Sequence, residues 1–381
     1  MVMISCGEPS GDIYAGTLAR ELQAIRPGTR VVGLGGDCLR DAGAELVGDY
    51  RGLSVTGLVE AVSVLPRAWA MKRALVARAR RERPDALVVI DFPDFNFRLA
   101  ASLHRLGIPV VYYVCPQVWA WRRGRLNVLR RLVDRALVIF PFEEPMYREA
   151  KIPVAFVGHP LLDLTVASAG REALAAEWGL AAGAPTVALL PGSRPNEVRG
   201  TLPALAAAVP MIASRVPRVQ FVVACAPNRD GALFDPLRRP DGPRVVMVTG
   251  RTDDVLEAAD VVVTASGTAT VQTAIHERPM VIVYRLSPLT YWLGKRFVHV
   301  DTYGMANLVA GRRIVPELIQ DGFTPGTVTA ETVRYFDDPD YAARTRAALH
   351  DVREKLGAPG ASRRAAEHVL AICDVRGGRP G

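Results

Sequence analysis

The stretch ALLPGSRPNEV, residues 188–198, ends an apolar run that begins at Thr186 and leads into the helix-like NEVRGTLPALAAAV. A strand that turns through Gly192, Ser193 and Arg194 into a helix is the corner on which α/β folds are wound. Backbone N–H groups at such a helix start face outward, and the helix dipole favours an anion there. With a guanidinium beside them, phosphate is the natural occupant. The same residues also read more simply, with Gly192 making the turn and Ser193 or Asn196 capping the helix. On this stretch alone both readings stand.

Apolar runs of the same kind recur in both directions: VMISC, RVVGLG, ALVVID, PVVYYV, RALVIF and VAFVG, then TVALLP, VQFVVACA, RVVMVT, DVVVTA and PMVIVY. Runs that are apolar throughout and alternate with helical patterns predict parallel strands covered on both faces. The fold class is therefore α/β, doubly wound, and wound twice. A chain of 381 residues also exceeds what one growing core accommodates. The first series closes near FVGHPLLD and the second opens near Pro185, which places one domain at 1–167 and another at 168–323. The remainder, 324–381, shows only helical patterns and forms a tail able to pack back on the first domain.

Apolar residues at 49% and charged residues at 23% exclude a disordered chain. The net charge of +8 suits an anionic partner, whether a phosphorylated metabolite, an anionic membrane face or a nucleic acid. Five cysteines without a CxxC pair argue against a disulfide framework or structural zinc, and for a reducing compartment such as the cytoplasm. The chain opens on VMISC rather than on a basic and then apolar leader, so no secretion signal is expected. No window supplies about 18 uninterrupted apolar residues.

Ligands of open parallel sheets lie beyond the carboxyl ends of the strands, at the switch point. After VMISC comes GEPSGD (7–12), a poor match to GxGxxG. Its Glu8 and Asp12 would repel a pyrophosphate and suit sugar hydroxyls, unless Ser10 or Asp12 simply caps the turn. After ALVVID comes DFPDFN (91–96), where Asp91 is the candidate base for a hydroxyl proton and Asp94 the expected cap of the next helix.

After PVVYYV comes CPQVWAWRRGR (115–125), whose tryptophans could stack on a sugar or base, or fill a gap. The nearby Arg122, Arg123, Arg125, Arg130 and Arg131 carry no RNP, KH or zinc-finger signature, and nucleic acid is not an expected partner. In the second half, Ser266, Gly267 and Thr268 repeat the corner, and Gln272 one turn on could reach a ribose, with an ordinary capped helix as the simpler reading. Two such corners in one sheet favour a nucleotide diphosphate. HExxH and the P-loop are absent, and FDDPDY (336–341) reads as a helix start, so neither a metal nor a cofactor is predicted.

Along residues 58–83, Leu58, Val62 and Leu65 share a helical face, Trp69 follows, and Arg67, Lys72, Arg73 and Arg78 lie nearby. That pattern suits a helix resting on an anionic membrane surface, with core packing as the alternative. LTYWLGKRFV (289–298) is a second candidate.

Taken together, GEPSGD, IDFPDFN, YYVCPQVWAWR, FPFE, FVGHP, LLPGSR, ASGTAT, PMVIVYR, MANLVAG and PELIQ resemble, in order and along nearly the whole chain, the lipid-A-disaccharide synthase family. These are glycosyltransferases of the two-Rossmann type (GT-B). The resemblance implies two Rossmann-like domains facing a cleft and an inverting transfer of 2,3-diacylglucosamine from UDP to 2,3-diacylglucosamine 1-phosphate. The product would be the β-1,6 disaccharide 1-phosphate, with UDP released and no metal required. It further implies a cytoplasmic protein held peripherally on the inner face of the bacterial inner membrane.

Asp91 matches the family's proposed base and Arg194 its diphosphate-binding arginine, while Glu8, Asp12 and Asn307 fall on positions tied to activity. Gly192, Ser193, Ser266, Gly267, Thr268 and Gln272 complete the expected substrate-binding set. Gln272 departs from the glutamate common in the family and brings no negative charge to a ribose. Members can exchange C-terminal segments in a dimer, so a homodimer is one possible assembly. The rival expectations are a UDP-sugar 2-epimerase on the same double-Rossmann plan, and a non-catalytic protein that grips a phosphorylated lipid or sugar. The lack of GxGxxG disfavours a dehydrogenase.

Overall fold

In the computed structural model, which describes all residues except 54–57, 120–123, 227–230, 238–241, 286–301, 303 and 378–381, every apolar run quoted above forms a strand. The first seven strands are β1 (Val2–Cys6), β2 (Val31–Gly35), β3 (Glu45–Asp49), β4 (Ala86–Ile90), β5 (Val110–Tyr113), β6 (Arg135–Val138) and β7 (Val154–Phe156). They form one parallel sheet in the order β3-β2-β1-β4-β5-β6-β7. The order reverses between β1 and β4, and that is its switch point. Because Cys6 pairs with Ile90, these two strands end in step and the loops after them emerge side by side.

The second sheet contains β8 (Thr186–Leu190), β9 (Gln220–Cys225), β10 (Val245–Thr249), β11 (Val261–Ala265), β12 (Met280–Tyr284) and β13 (Glu317–Ile319). Its order is β10-β9-β8-β11-β12-β13, again all parallel. The switch falls between β8 and β11, where Leu190 pairs with Thr264, so the GSR and SGT corners leave adjacent strand ends. β1, β4, β8 and β11 are buried along their whole length, as strands covered on both faces must be.

The chain divides into two units, Met1–Leu162 with Leu356–Gly381, and Asp163–Lys355. The first unit thus ends before the expected 167, and the stretch expected as one tail, 324–381, is split. Helices Pro325–Asp337 and Pro339–Lys355 stay with the second unit, with Val328, Val333 and Tyr335 in its core. FDDPDY accordingly spans the end of one helix and the start of the next. Helix Ala361–Gly377 lies along Pro9–Ile25 of the first unit, where Arg26 pairs with Asp374 at 2.6 Å. The return is sealed by the His159 N–H, which donates to the Leu356 carbonyl at 2.9 Å.

Candidate active site

At the switch point of the first sheet, two consecutive residues after β4, Asp91 (φ 44°) and Phe92 (φ 48°), adopt the left-handed conformation. For residues with a Cβ this costs of order 1–2 kcal/mol each, so the surroundings must hold them there. The Asp91 N–H donates to the Val114 carbonyl at 3.2 Å. Its carbonyl accepts from Asn96 Nδ2 at 2.7 Å and Tyr112 Oη at 2.9 Å. The Phe92 ring lies over Gly7 so closely that a Cβ there would fall 2.1 Å from ring carbons. Only glycine admits that approach, and it packs the loop after β1 against the loop after β4. Asp91 itself is half-buried at the mouth of the sheet.

Phe92, not Asp94, occupies the N-cap position of helix Pro93–His104, and no side chain caps it. Asp94 is exposed and paired with Arg125 at 2.5 Å. The fully buried Asn96 accepts from Ser5 Oγ at 2.7 Å and donates to the Ile90 carbonyl at 3.2 Å, so it ties β1 to β4 beneath Asp91. Sequence reading passed over Asn96 and Tyr112. The available signal was a polar residue on the apolar face of a helix, and a tyrosine hydroxyl at the end of a buried strand.

Glu8, half-buried, is the N-cap residue of helix Pro9–Ile25, beside the Asp91 loop. Asp12 is buried, and its carboxylate accepts the N–H groups of Gly36 (2.6 Å), Cys38 (2.9 Å) and Leu39 (3.3 Å). It therefore anchors the start of helix Asp37–Asp41 rather than capping its own helix, a use of a carboxylate at a helix N-terminus that the dipole favours. This geometry commits Asp12 to backbone donors and gives it a positioning part.

In the loop after β5, Trp119 is half-buried, edge-on to Phe142, and donates from Nε1 to the buried Glu143 at 3.3 Å. Trp121, Arg122 and Arg123 lie outside the described residues. Burial pushes the Glu143 carboxyl up to about 8, against the pull of the Phe140 and Trp119 N–H donors. Between about pH 5 and pH 8 the folded chain holds a proton that the unfolded chain has lost, so this group makes stability fall as pH rises. Glu143→Gln is expected to remove that component. Relative to the unaltered chain its unfolding free energy should gain about 4 kcal/mol from about pH 5 to about pH 8.5, roughly three pK units. Urea denaturation at the two pH values measures it; a constant difference would show that Glu143 is not held neutral.

In the second unit, Gly192 (φ 125°) makes the turn after β8, and Arg194 takes the N-cap position of helix Pro195–Ala213. Neither Ser193 nor Asn196 is the cap. Glu197 reaches back instead: its Oε2 accepts from the Ser193 and Arg194 N–H groups at 3.1 and 3.2 Å, and its Oε1 from Arg194 Nη1 at 3.1 Å. The donors expected to hold a phosphate thus already hold an anion, a carboxylate of the same chain. Glu197 was legible in principle as the third residue of a capping box.

After β11, Gly267 and Thr268 are exposed, Ser266 is half-buried with its N–H on the Val283 carbonyl, and helix Thr268–Ile275 follows. One turn on, Gln272 Nε2 donates to Asp253 Oδ1 at 3.3 Å. The carboxylate that position 272 lacks is therefore present beside it, on helix Thr252–Ala258. Asn307, expected to contact substrate, is completely buried. Its Oδ1 accepts the N–H groups of Ile314 and Val315, and its Nδ2 donates to the Val315 carbonyl and to Glu317. That capacity goes into the loop before β13 and the first residue of that strand, which gives Asn307 a part in shaping the loop.

A cavity of about 450 Å³ opens beside the Asp91 loop, walled by Phe92 and Glu8 on one side and by Leu65, Ala68 and Trp69 of helix Leu58–Glu82 on the other. Leu65 and Trp69 are 51% and 60% exposed, and Arg73 lies 4.5 Å over the Trp69 ring. The side chains of Leu58 and Val62, and the whole of 289–298, lie outside those described. Among the described residues no helix is long and apolar enough to cross a membrane.

Two doubly wound sheets, one with a carboxylate at its switch point and one with a Gly-Ser-Arg corner, define a two-domain α/β protein of GT-B type. Solved structures share that fold. One is a UDP-GlcNAc 2-epimerase from Neisseria meningitidis bound to UDP-GlcNAc (TM-score 0.69, 13% identity, 97% and 99% of the two chains). Another is the glycotransferase of kitacinnamycin (TM-score 0.65, 21% identity, 97% and 98%). At those identities the likeness concerns the fold alone.

The family model for lipid-A-disaccharide synthetase matches residues 2–372. The lipid-A-disaccharide synthase of Geobacter sulfurreducens is 43% identical over 374 residues, covering 97% of each chain. That of Syntrophus aciditrophicus is 41% identical over 373 residues, covering 98% of this chain and 97% of its own. The chain belongs to the lipid-A-disaccharide synthase family and is a glycosyltransferase.

Proposed function

We propose that the chain transfers 2,3-diacylglucosamine from UDP to the 6-hydroxyl of 2,3-diacylglucosamine 1-phosphate, forming the β-1,6 disaccharide 1-phosphate and releasing UDP. Asp91 takes the proton of that hydroxyl as its oxygen attacks the anomeric carbon from the face opposite the leaving group, which inverts the centre. Arg194, with the backbone of the Ser266–Thr268 corner, stabilises the charge that grows on the departing diphosphate. Gln272 and Asp253 meet the ribose hydroxyls, Glu8 faces the acceptor's hydroxyls beside Asp91, and Asp12 and Asn307 hold the loops in shape.

The observation that carries this reading is the placement of the two chemistries. A half-buried carboxylate sits at one sheet's switch point, and a corner that already binds a carboxylate sits at the other's. The exposed Leu65 and Trp69, flanked by basic residues, support a cytoplasmic protein resting on the anionic inner face of the inner membrane. The chain incubated with UDP-2,3-diacylglucosamine is expected to release UDP only when the acceptor 1-phosphate is added. Release without acceptor would refute the transfer, and conversion of UDP-GlcNAc to its manno epimer would favour an epimerase.

A further inference from the structure

Among the described residues of the first unit, Arg51 holds Asp37 and Asp49, Arg78 holds Glu45 and Glu82, and Arg125 holds Asp94, while Arg67 forms no ion pair and Arg73 lies over the Trp69 ring. Two cations line the wall of the cavity beside Asp91. Among the described residues Lys72 and Arg98 form no ion pair. They come from separate helices, Leu58–Glu82 and Pro93–His104, and line the same cavity. Its carboxylates are Glu8 and Asp94, of which Asp94 is engaged by Arg125. The rest of the wall is largely apolar, with Leu53, Val64 and Phe95 buried in it.

A solvated lysine or arginine needs no partner, so being unpaired says little by itself. The combination is more specific. An apolar hollow with two cations of different geometry fits a ligand that is apolar over most of its surface and carries one compact anion. A guanidinium fork grips phosphate oxygens in pairs, and an ammonium adds a point charge.

We propose that Lys72 and Arg98 receive the 1-phosphate of the acceptor while the apolar wall receives one of its acyl substituents. This rests on the reaction proposed above. The phosphate of a membrane lipid has the same chemistry, but the cavity begins at Phe92, next to the residue assigned to the acceptor hydroxyl. Acceptor and cations therefore share one place.

The test is steady-state kinetics of the Lys72→Ala/Arg98→Ala variant with the acceptor 1-phosphate and with its 1-dephospho analogue. The KM for the phosphorylated acceptor is expected to rise about 10–100-fold, as for the loss of one or two charge-assisted contacts. The donor KM, the kcat at saturating acceptor and use of the dephospho acceptor should stay within about 3-fold of the unaltered chain. An unchanged acceptor KM, or an equal loss with both acceptors, would overturn the assignment. So would reduced sedimentation with phosphatidylglycerol vesicles alongside unaltered acceptor kinetics, which would give the two cations to the membrane. An unaltered chain that releases no UDP with either acceptor would refute the reaction itself, and this role with it.

Discussion

Asp91→Asn is expected to lower kcat by about 10²–10⁴-fold, the usual contribution of a general base, while UDP binds as tightly as before. Asparagine is the informative replacement because position 91 has φ 44°. Asparagine, like the aspartate it replaces, enters the left-handed region more readily than other residues with a Cβ, so the loop keeps its shape, whereas alanine would add strain. The bonds that hold the loop come from the Asp91 main chain, through Asn96, Tyr112 and Val114, and survive the change. The substitution removes the negative charge and with it the ability to accept a proton. Burial foremost raises the pKa of Tyr112, and the Asp91 charge adds to this, so the phenol remains a donor at neutral pH. Turnover within a few-fold of the unaltered chain would reject Asp91 as the base.

Arg194→Ala should damage binding and turnover together. Its side chain is 39% exposed at the corner after β8, and the charge it is proposed to offset is greater on a departing diphosphate than on the bound donor. UDP affinity is expected to fall about 10²-fold, and kcat by a further 10²–10³-fold or so, as when an arginine clamp on a leaving group is lost. The Glu197 carboxylate stays bound to the two backbone N–H groups in the variant, so the helix start is retained. Arg194→Lys restores a charge without the fork and should recover only part of the loss. Isothermal titration with UDP, alongside kcat, measures both effects. An unchanged Kd would place the diphosphate elsewhere.

The strands that carry the site were legible because a strand covered on both faces leaves an unbroken apolar run, and all eleven quoted runs are strands. The two that escaped, β3 and β13, are edge strands with partly exposed residues, ELVGD and ELI, so no apolar run marks them. The places where the candidate residues lie were legible too, since the loops after β1, β4, β8 and β11 follow directly from the ends of those apolar runs.

What each polar side chain bonds was harder to read, because those partners are remote in sequence. Asp12 looked like the cap of its own helix but reaches Gly36, and Asn307 looked like a substrate contact but is spent on Ile314 and Val315. Asp94 lost the cap position because Phe92 enters the left-handed region and starts the helix two residues earlier. The return of 356–381 to the first unit depends on packing between helices at opposite ends of the chain, which no local pattern encodes.

A diphosphate is proposed to bind at the second sheet's switch point, and a crystal structure of the chain with UDP tests this directly. Diphosphate oxygens are expected about 3 Å from the Arg194 guanidinium and from the backbone of Ser266–Thr268, with the ribose near Gln272. A diphosphate bound away from both corners, with Arg194 still turned to Glu197, would contradict it.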